Sequence, residues 1–312
     1  MRTNKFIQKD ISFEIFKKYL SNFHPEMCYC LLLSDFGEPF LRKDLVDILR
    51  YVKSEGFERV DVVSNGTLFQ NHDIKAIVKE RLLRKISISL EAATKERFED
   101  IRGTNFNEFI SNIILLRGYK EKFKSKYPDI FLSTVCMKTN LLELPKIMDL
   151  AHELRIDFVD FVHLNSISLD MFNLNMNLPG FQDKLCISGQ HLDTCDSELV
   201  KNIFRQIHEK SLQYNITYLP PENYLSKGNN GDLSKTMNTK CEIPYKWIQI
   251  GSDGSIFPCC QISKRIAVGN LNDSTFEQIW DNEKFKKFRS DLETGTPNDW
   301  CKICNVYKGK RF

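Results

Sequence analysis

From Tyr29 to about Asn215, short apolar runs alternate with longer amphipathic stretches. The runs Tyr29–Leu33, Arg59–Ser64, Lys85–Leu90, Phe131–Cys136 and Phe158–His163 are rich in Val, Ile, Leu and Phe. Most are too apolar to keep one face in water, which predicts parallel strands covered by helices. Between them, Lys43–Glu55 sets Leu45, Ile48, Leu49 and Val52 on one stripe and stops at Gly56, the pattern of an amphipathic helix with a glycine end. Asn105, with Glu108 three residues on, predicts a helix start, and Asn140 with Glu143 repeats the arrangement before a helix running to Leu154. Leu199–Tyr214 is a further helix. An amphipathic stretch at Ile11–Phe23, with Ser12 as its cap, comes before any strand, because Met1–Asp10 is polar. The chain therefore reads as opening inside a strand–helix unit whose strand is missing. Repeated strand–helix units predict an α/β fold with a parallel sheet, either doubly wound or a barrel.

In both architectures chemistry gathers at the carboxyl ends of the strands. Those ends are polar here: Ser34-Asp35, Ser64-Asn65-Gly66, Ser89 with Glu91, and His163 with Asn165. Ser, Asn and Asp are also ordinary turn formers. Between His163 and Ser197 lies a long insertion with little periodicity, of a length that is either functional, helping to shape a pocket, or disordered. Near Tyr214 the composition shifts, and 216–240 is rich in Asn, Gly, Pro and Ser. We expect one domain over 1–215 and a second, smaller one over 216–312.

Composition narrows the function. The 312 residues are 42% hydrophobic and 27% charged, which is globular. A net charge of +3 is too balanced for a nucleic-acid footprint. No apolar run reaches the ~20 residues of a membrane span, and the polar N-terminus has no signal-peptide core. The expected location is cytoplasmic, with neither nucleic acid nor membrane as a partner. Ten cysteines in a reducing compartment then point to metal or redox work rather than disulfides.

Four of the ten form a constellation. Cys241 and Cys259 flank a predicted β-hairpin, Trp247–Ile250 and Ser255–Phe257 around Asp253-Gly254, which returns Cys259 beside Cys241. Cys301-Lys302-Ile303-Cys304 is a C-x2-C turn, local enough for both thiolates to bind one centre. Four thiolates complete either a tetrahedral zinc or an iron–sulfur cluster, and spacing does not choose between them. Cys260 is an alternative to Cys259. Cys28-Tyr29-Cys30 has the wrong spacing for such a motif and reads as the start of a buried strand.

Asp35-Phe36-Gly37-Glu38-Pro39, Ser64-Asn65-Gly66-Thr67, Ile86–Glu91 with Ser89, and Ile101-Arg102-Gly103, taken in order, resemble landmarks of the radical S-adenosylmethionine enzymes. The run Trp247–Cys260 with Gly254 and Pro258, followed by Gly269-Asn270-Leu271 and Trp280, resembles that family's SPASM or twitch subdomain. The resemblance spans about Asp10 to Cys304. It implies a partial (β/α)6 TIM-like barrel, here lacking its first strand, followed by a small α+β subdomain with an auxiliary 4Fe–4S cluster. Gly37, Glu38 and Pro39 match the motif that receives the amino group of S-adenosylmethionine, and an ionised Glu suits an ammonium. Ser89 and Arg102 match binders of its carboxylate, for which the two-pronged guanidinium is apt. Asn65 shares the rim, where it either contacts the cofactor or caps a turn. Cys241, Cys259, Cys301 and Cys304 match the auxiliary-cluster ligands. With all four of them thiolates, that cluster has no open iron and suits electron transfer.

The family's C-x3-C-x2-C motif, which holds the cluster that reduces S-adenosylmethionine, does not occur in the 312 residues, and Asp35 stands where a glycine is common. The resemblance implies generation of a 5′-deoxyadenosyl radical that modifies a peptide or small molecule. It also implies an electron donor such as flavodoxin or ferredoxin. S-adenosylmethionine and a second 4Fe–4S cluster are expected only where an upstream segment supplies that motif, with Met1 then an internal start. The competing expectation is a non-catalytic remnant that keeps iron–sulfur or zinc and serves as an interaction module.

Overall fold

A computed structural model describes residues 10–34, 37–164, 189–221, 241–260 and 266–304. Asp35, Phe36, Asn165, Cys186, most of the 166–198 insertion and most of the 216–240 segment lie outside the described residues. The chain divides into two compact units. One joins the residues up to Met27 to the cysteine-containing C-terminal segment, and the other begins at Cys28 and includes the large sheet.

The chain opens with helix α1 (Phe13–Leu20), whose Ser12 side chain accepts from the Ile15 N–H as the sequence predicts. The sheet unit follows: β1 (Leu31–Leu33), α2 (Leu45–Ser54), β2 (Val60–Ser64), α3 (Ile74–Lys79), β3 (Lys85–Ser89), α4 (Lys95–Arg102), α5 (Phe106–Lys122), β4 (Asp129–Cys136), α6 (Leu144–Glu153), β5 (Phe158–His163), α7 (Ser197–Tyr214) and β6 (Thr217–Leu219). Six strands lie side by side in chain order, every neighbouring pair parallel. Right-handed crossovers between strands laid down in order put the connecting helices on one face. The sheet is thus the barrel alternative rather than the doubly wound one, with an open concave face.

Burial records that asymmetry. In β4, Ile130, Leu132, Thr134 and Cys136 are buried, while Asp129, Phe131, Ser133 and Val135 are half-buried. Phe131 and Phe158 stack in register across β4 and β5, ring centroids 4.6 Å apart. In β4 the expectation of cover on both sides therefore holds for one face only, whereas in β2 and β3 Asp61 and Ser87 are buried on the other face as well. A sixth strand, β6, falls where the sequence reads as irregular. Three residues are too short for a periodicity to register.

The C-terminal unit contains α8 (Ile243–Lys246), β7 (Gln249–Ile250), β8 (Ser255–Phe257), β9 (Gly269–Asn270), α9 (Phe276–Trp280), α10 (Glu283–Glu293) and α11 (Asp299–Ile303). The predicted hairpin forms, with Ile250 opposite Ile256, and β9 adds a third antiparallel strand. Gly254 turns the hairpin at φ +84°. A Cβ there would come within 2.8 Å of the Tyr19 hydroxyl and the Asn270 and Asn272 side chains. Tyr19 belongs to α1, and it is buried with Ile256, Val268, Leu271, Ile279 and Phe285, while Ile11 and Phe23 pack around them. This differs from the reading of α1 as half of a strand–helix unit of the sheet. Its apolar stripe is covered by the C-terminal core, an allegiance that amphipathicity alone does not specify.

Candidate cofactor rim and cysteine cluster

The carboxyl ends of β1, β2 and β3 are adjacent through the pairings Leu33–Val62 and Ser64–Ile88. Glu38 follows β1 at the start of a short 3-10 turn over Pro39–Leu41. Its carboxylate accepts from the Ser64 hydroxyl (2.7 Å), the Asn65 N–H (2.6 Å) and the Phe40 N–H (3.2 Å). An ionised carboxylate offers about four lone-pair sites, so three donors fix its position and leave room for one more. Gly37 beside it is exposed, with open space around its Cα.

Asn65 forms an Asx-type turn, its Oδ1 accepting from the Thr67 N–H at 2.9 Å and from the Thr67 hydroxyl at 2.6 Å. Gly66 is held at φ +73°, and a Cβ would come within 2.8 Å of Ile88 and 2.9 Å of Phe109. The buried Asn112 donates to the Gly66 carbonyl. Glycine is required here both by the backbone and by the core beneath it.

Ser89 ends β3, half-buried, opposite Ser133 of β4. Two residues on, Glu91 is buried and pairs with Arg102, Nη1 to carboxylate oxygen at 3.1 Å. Arg102, from the last turn of α4, is thereby brought to the β3 tip and is partly buried rather than a loose surface arginine. Burial pushes the Glu91 carboxyl above its usual range, and the Arg102 charge opposes that rise. Asn140 donates to the Glu91 carbonyl at 2.9 Å, fixing this turn from behind.

Glu143 departs from its predicted role. Instead of helping to cap its own helix, it accepts from the Ala93 and Thr94 N–H groups and the Thr94 hydroxyl, holding the start of α4. Burial pushes its carboxyl up. Hydrogen bonds from Lys146 and from the backbone and hydroxyl of Thr94 outweigh this and hold it below the ordinary value. Sequence reasoning missed both roles because the partners are about fifty residues away.

The cysteines of the C-terminal unit gather on one core. Cys301 is buried with Phe288 and Leu292, and Cys241, Cys259, Ile266 and Trp300 pack against them. Cys304 is buried, and its charge acts on both Cys241 and Cys301, while Cys260 acts on Cys241. Both thiols of the 259–260 pair are thus at this site. Asn298 organises the turn: its Oδ1 accepts from the Cys301 N–H at 3.1 Å, and its Nδ2 lies 3.3 Å from the Cys301 sulfur. Burial pushes the Cys301 thiol up to about 11 and raises Cys241 as well. Ligation must then displace these protons.

Among the described residues no three His, Cys, Asp or Glu side chains close on one ion-sized point. A tetrahedral zinc needs its thiolates about 2.3 Å from a single centre. A cluster that takes one thiolate per iron needs sulfurs spread around a larger volume, and the buried Cys301 with the half-buried Cys241 and Cys259 on one core is compatible with that donor set. Cys28 and Cys30 lie apart from this core, beside β1. Burial, together with Asp61, pushes the Cys30 thiol up to about 12, and Cys28 is also raised by burial.

The family comparison agrees with this division of labour. The SPASM family, an iron–sulfur cluster-binding domain, matches residues 241–305. A probable GTP 3′,8-cyclase of Metallosphaera sedula is 30% identical over 133 residues, 43% of this chain and 40% of that protein. The match to this relative thus spans about two fifths of its length. An AdoMet-dependent heme synthase of Methanosarcina barkeri is 25% identical over 292 residues, 89% of this chain and 75% of that protein. Among solved structures, Streptococcus suis SuiB bound to S-adenosylmethionine superposes with TM-score 0.66 at 14% identity, over 97% of this chain and 66% of SuiB. Native anSMEcpe with bound AdoMet gives 0.64 at 16% identity, over 99% of this chain and 83% of that one. Further structures show SuiB with the precursor peptide SuiA and anSMEcpe with a Cp18Cys peptide.

The class is an α/β partial barrel followed by an iron–sulfur module. Residues 241–305 match the SPASM iron–sulfur cluster-binding domain, and the chain as a whole is similar to radical S-adenosylmethionine proteins that carry such a domain.

Proposed function

We propose that the rim formed by β1, β2 and β3 binds the methionine end of S-adenosylmethionine. In this reading Glu38 takes the ammonium, Ser89 and Arg102 take the carboxylate, and Gly37, Pro39 and Asn65 shape the contact. The observation that carries it is the Glu38 carboxylate, fixed by three donors from two neighbouring strand ends with one acceptor position left. Arg102, with Nη1 spent on Glu91, keeps Nε and Nη2 for a ligand. Cys241, Cys259, Cys301 and Cys304 hold the auxiliary 4Fe–4S cluster, which supplies a one-electron relay when bound.

With a reducing cluster supplied, S-adenosylmethionine held at this rim would accept one electron and give methionine and a 5′-deoxyadenosyl radical, which would abstract hydrogen from the substrate. The iron–sulfur ligands for that cleavage come from a C-x3-C-x2-C loop, which the 312 residues do not contain. A peptide substrate is favoured over a small molecule because both structural neighbours named above have been solved with peptides. The open concave face of the sheet, with the Phe131–Phe158 pair and Ser133, offers apolar and polar contacts to such a chain. Flavodoxin or ferredoxin is the proposed electron source. A cytoplasmic location follows from these oxygen-sensitive cofactors, and no helix among the described residues is long and apolar enough to cross a membrane.

The test is titration of S-adenosylmethionine into anaerobically prepared protein by calorimetry. Glu38→Ala and Arg102→Met are expected to weaken binding at least tenfold, about 1.4 kcal/mol each. Absent binding, or binding indifferent to both substitutions, overturns the rim assignment. A second reading, a cluster-binding module without radical chemistry, is favoured by the missing three-cysteine motif. It predicts normal iron loading with no affinity for S-adenosylmethionine.

A further inference from the structure

Asn298 does more than its position requires. It is the N-cap of α11, and its Oδ1 accepts from the Cys301 N–H at 3.1 Å. Its backbone carbonyl accepts from the Cys301 and Lys302 N–H groups at 3.0 and 3.2 Å. Asn, Asp and Ser fill such a cap about equally well, because the cap asks only for a side-chain oxygen. Asparagine alone among them also carries an amide nitrogen. With Oδ1 committed to the Cys301 N–H, the orientation of the amide is fixed, and Nδ2 lies 3.3 Å from the Cys301 sulfur. One side chain thus grips Cys301 at both its backbone and its sulfur.

The surroundings give that second contact weight. Cys301 is buried with Phe288 and Leu292, and Trp300 packs against them. In such a low-dielectric place an N–H aimed at a sulfur acts on it without damping by water. Cys241 has a comparable contact, but from a backbone N–H, that of Ile243. At Cys301 the donor is a side chain, so the residue at 298 decides whether it exists. A cluster held by four thiolates is a net anion, and taking up one electron makes it one unit more negative. A hydrogen bond to a ligand sulfur strengthens as the charge on that sulfur grows, and so favours the reduced state.

We propose that Asn298 tunes the auxiliary iron–sulfur cluster by donating its side-chain N–H to the Cys301 sulfur, which raises the cluster's reduction potential. This rests on the reading of Cys301 as a cluster ligand. Asn298 touches the ligand sulfur, not iron or substrate, and its proton stays on nitrogen throughout. The electron is the one supplied by the flavodoxin or ferredoxin proposed above.

Asn298→Ser and Asn298→Ala separate the two duties. Serine keeps the cap oxygen but carries nothing beyond it to reach the sulfur, and alanine gives up both contacts. The unsubstituted protein and both variants are reconstituted anaerobically with ferrous iron and sulfide. Reduction by dithionite is followed by electron paramagnetic resonance at controlled potential, and thermal midpoints are measured on the cluster-free proteins. At a fixed poise the reduced-to-oxidised ratio is expected to fall about fivefold in both variants. The cluster-free midpoint is expected to drop in Asn298→Ala only.

An unchanged potential in Asn298→Ser makes Asn298 a cap and nothing more, and overturns the proposal. So does a potential that drops only in Asn298→Ala, in step with its lost stability. If the unsubstituted protein takes up no iron, or Cys301→Ala loads as fully as it does, the ligand reading itself fails and the proposal falls with it. Iron content alone tells that failure from the other two.

Discussion

The two units hold their candidate ligand groups on different kinds of surroundings. In the sheet unit, carboxylates at the strand ends are met by donors from the same unit: Glu38 by Ser64, Asn65 and Phe40, Glu91 by Arg102, and Glu143 by Ala93 and Thr94. In the C-terminal unit the sulfurs gather on an apolar core, with Asn298 beside Cys301. Its thiols are held protonated by burial, and Arg289 packs on the rings of Phe285 and Trp280. A rim that is already satisfied is preorganised to bind a ligand through its remaining acceptor and donor positions. On the reading proposed above, the first unit would receive its ligand on groups already held in place, and the second would bind by displacing the protons of buried thiols.

That contrast can be broken most severely at the sulfurs. Cys301→Ala and Cys304→Ala are each expected to abolish stoichiometric iron and sulfide in anaerobically reconstituted protein. Cys28→Ala and Cys30→Ala should load fully, and Cys260→Ala should load if Cys259 is the ligand. Equal loss in Cys260→Ala and Cys259→Ala would show that the pair cannot be divided into ligand and spare.

Next in size is Gly66→Ala. The positive φ and the overlap with Ile88 and Phe109 should together cost about 3 kcal/mol, read as a lower urea midpoint with an unchanged slope. An unaltered midpoint would mean that the second strand end is softer than its packing implies.

The two carboxylates beside α4 sharpen the comparison through pH, with opposite signs. The Glu143 carboxyl is depressed in the folded protein, so its contribution is present above the ordinary glutamate value and is lost as pH falls through the depressed one. Glu143→Gln should remove part of the acid-side loss of stability and cost about 1–3 kcal/mol at neutral pH. Urea midpoints of the two proteins between about pH 7 and 3 test this.

The smallest effect belongs to Glu91. Its carboxyl is raised in the fold, so its contribution is full below the ordinary value and declines as pH rises through the raised one. Glu91→Gln should flatten that decline at a net change of about 1 kcal/mol or less. Steeper pH dependence in the variant would contradict the assigned direction.

Much of the sheet unit was legible along the chain. Phe158–His163 is the strand the alternation predicts, the other four predicted strands fall within two residues at each end, and Asn105 caps α5 by accepting from the Glu108 N–H. The hairpin around Gly254 and the helices after it also follow local signals. The two short helices α3 and α4 and the strand β6 were not visible, because six to eight helical residues or three strand residues give too few repeats to declare a period. Asn140 and Glu143 misled for a different reason. Asn140 does cap, but at the third position, its Oδ1 accepting from the Met137 N–H while its Nδ2 donates to the Glu91 carbonyl, and Glu143 serves Thr94 from another strand–helix unit.

Local patterning alone settled which stretches become strands or helices, that the strands run parallel, and that four cysteines share one small module. These are properties of neighbours along the chain, where a period of 2 or 3.6 residues decides which side is buried. Tertiary packing decided which core covers α1, which carboxylate meets Arg102, and that Arg289 is buried against the rings of Phe285 and Trp280. Those outcomes depend on which surfaces meet after the chain has turned back on itself, and a side chain carries no mark of its partner until desolvation makes one partner far cheaper than water.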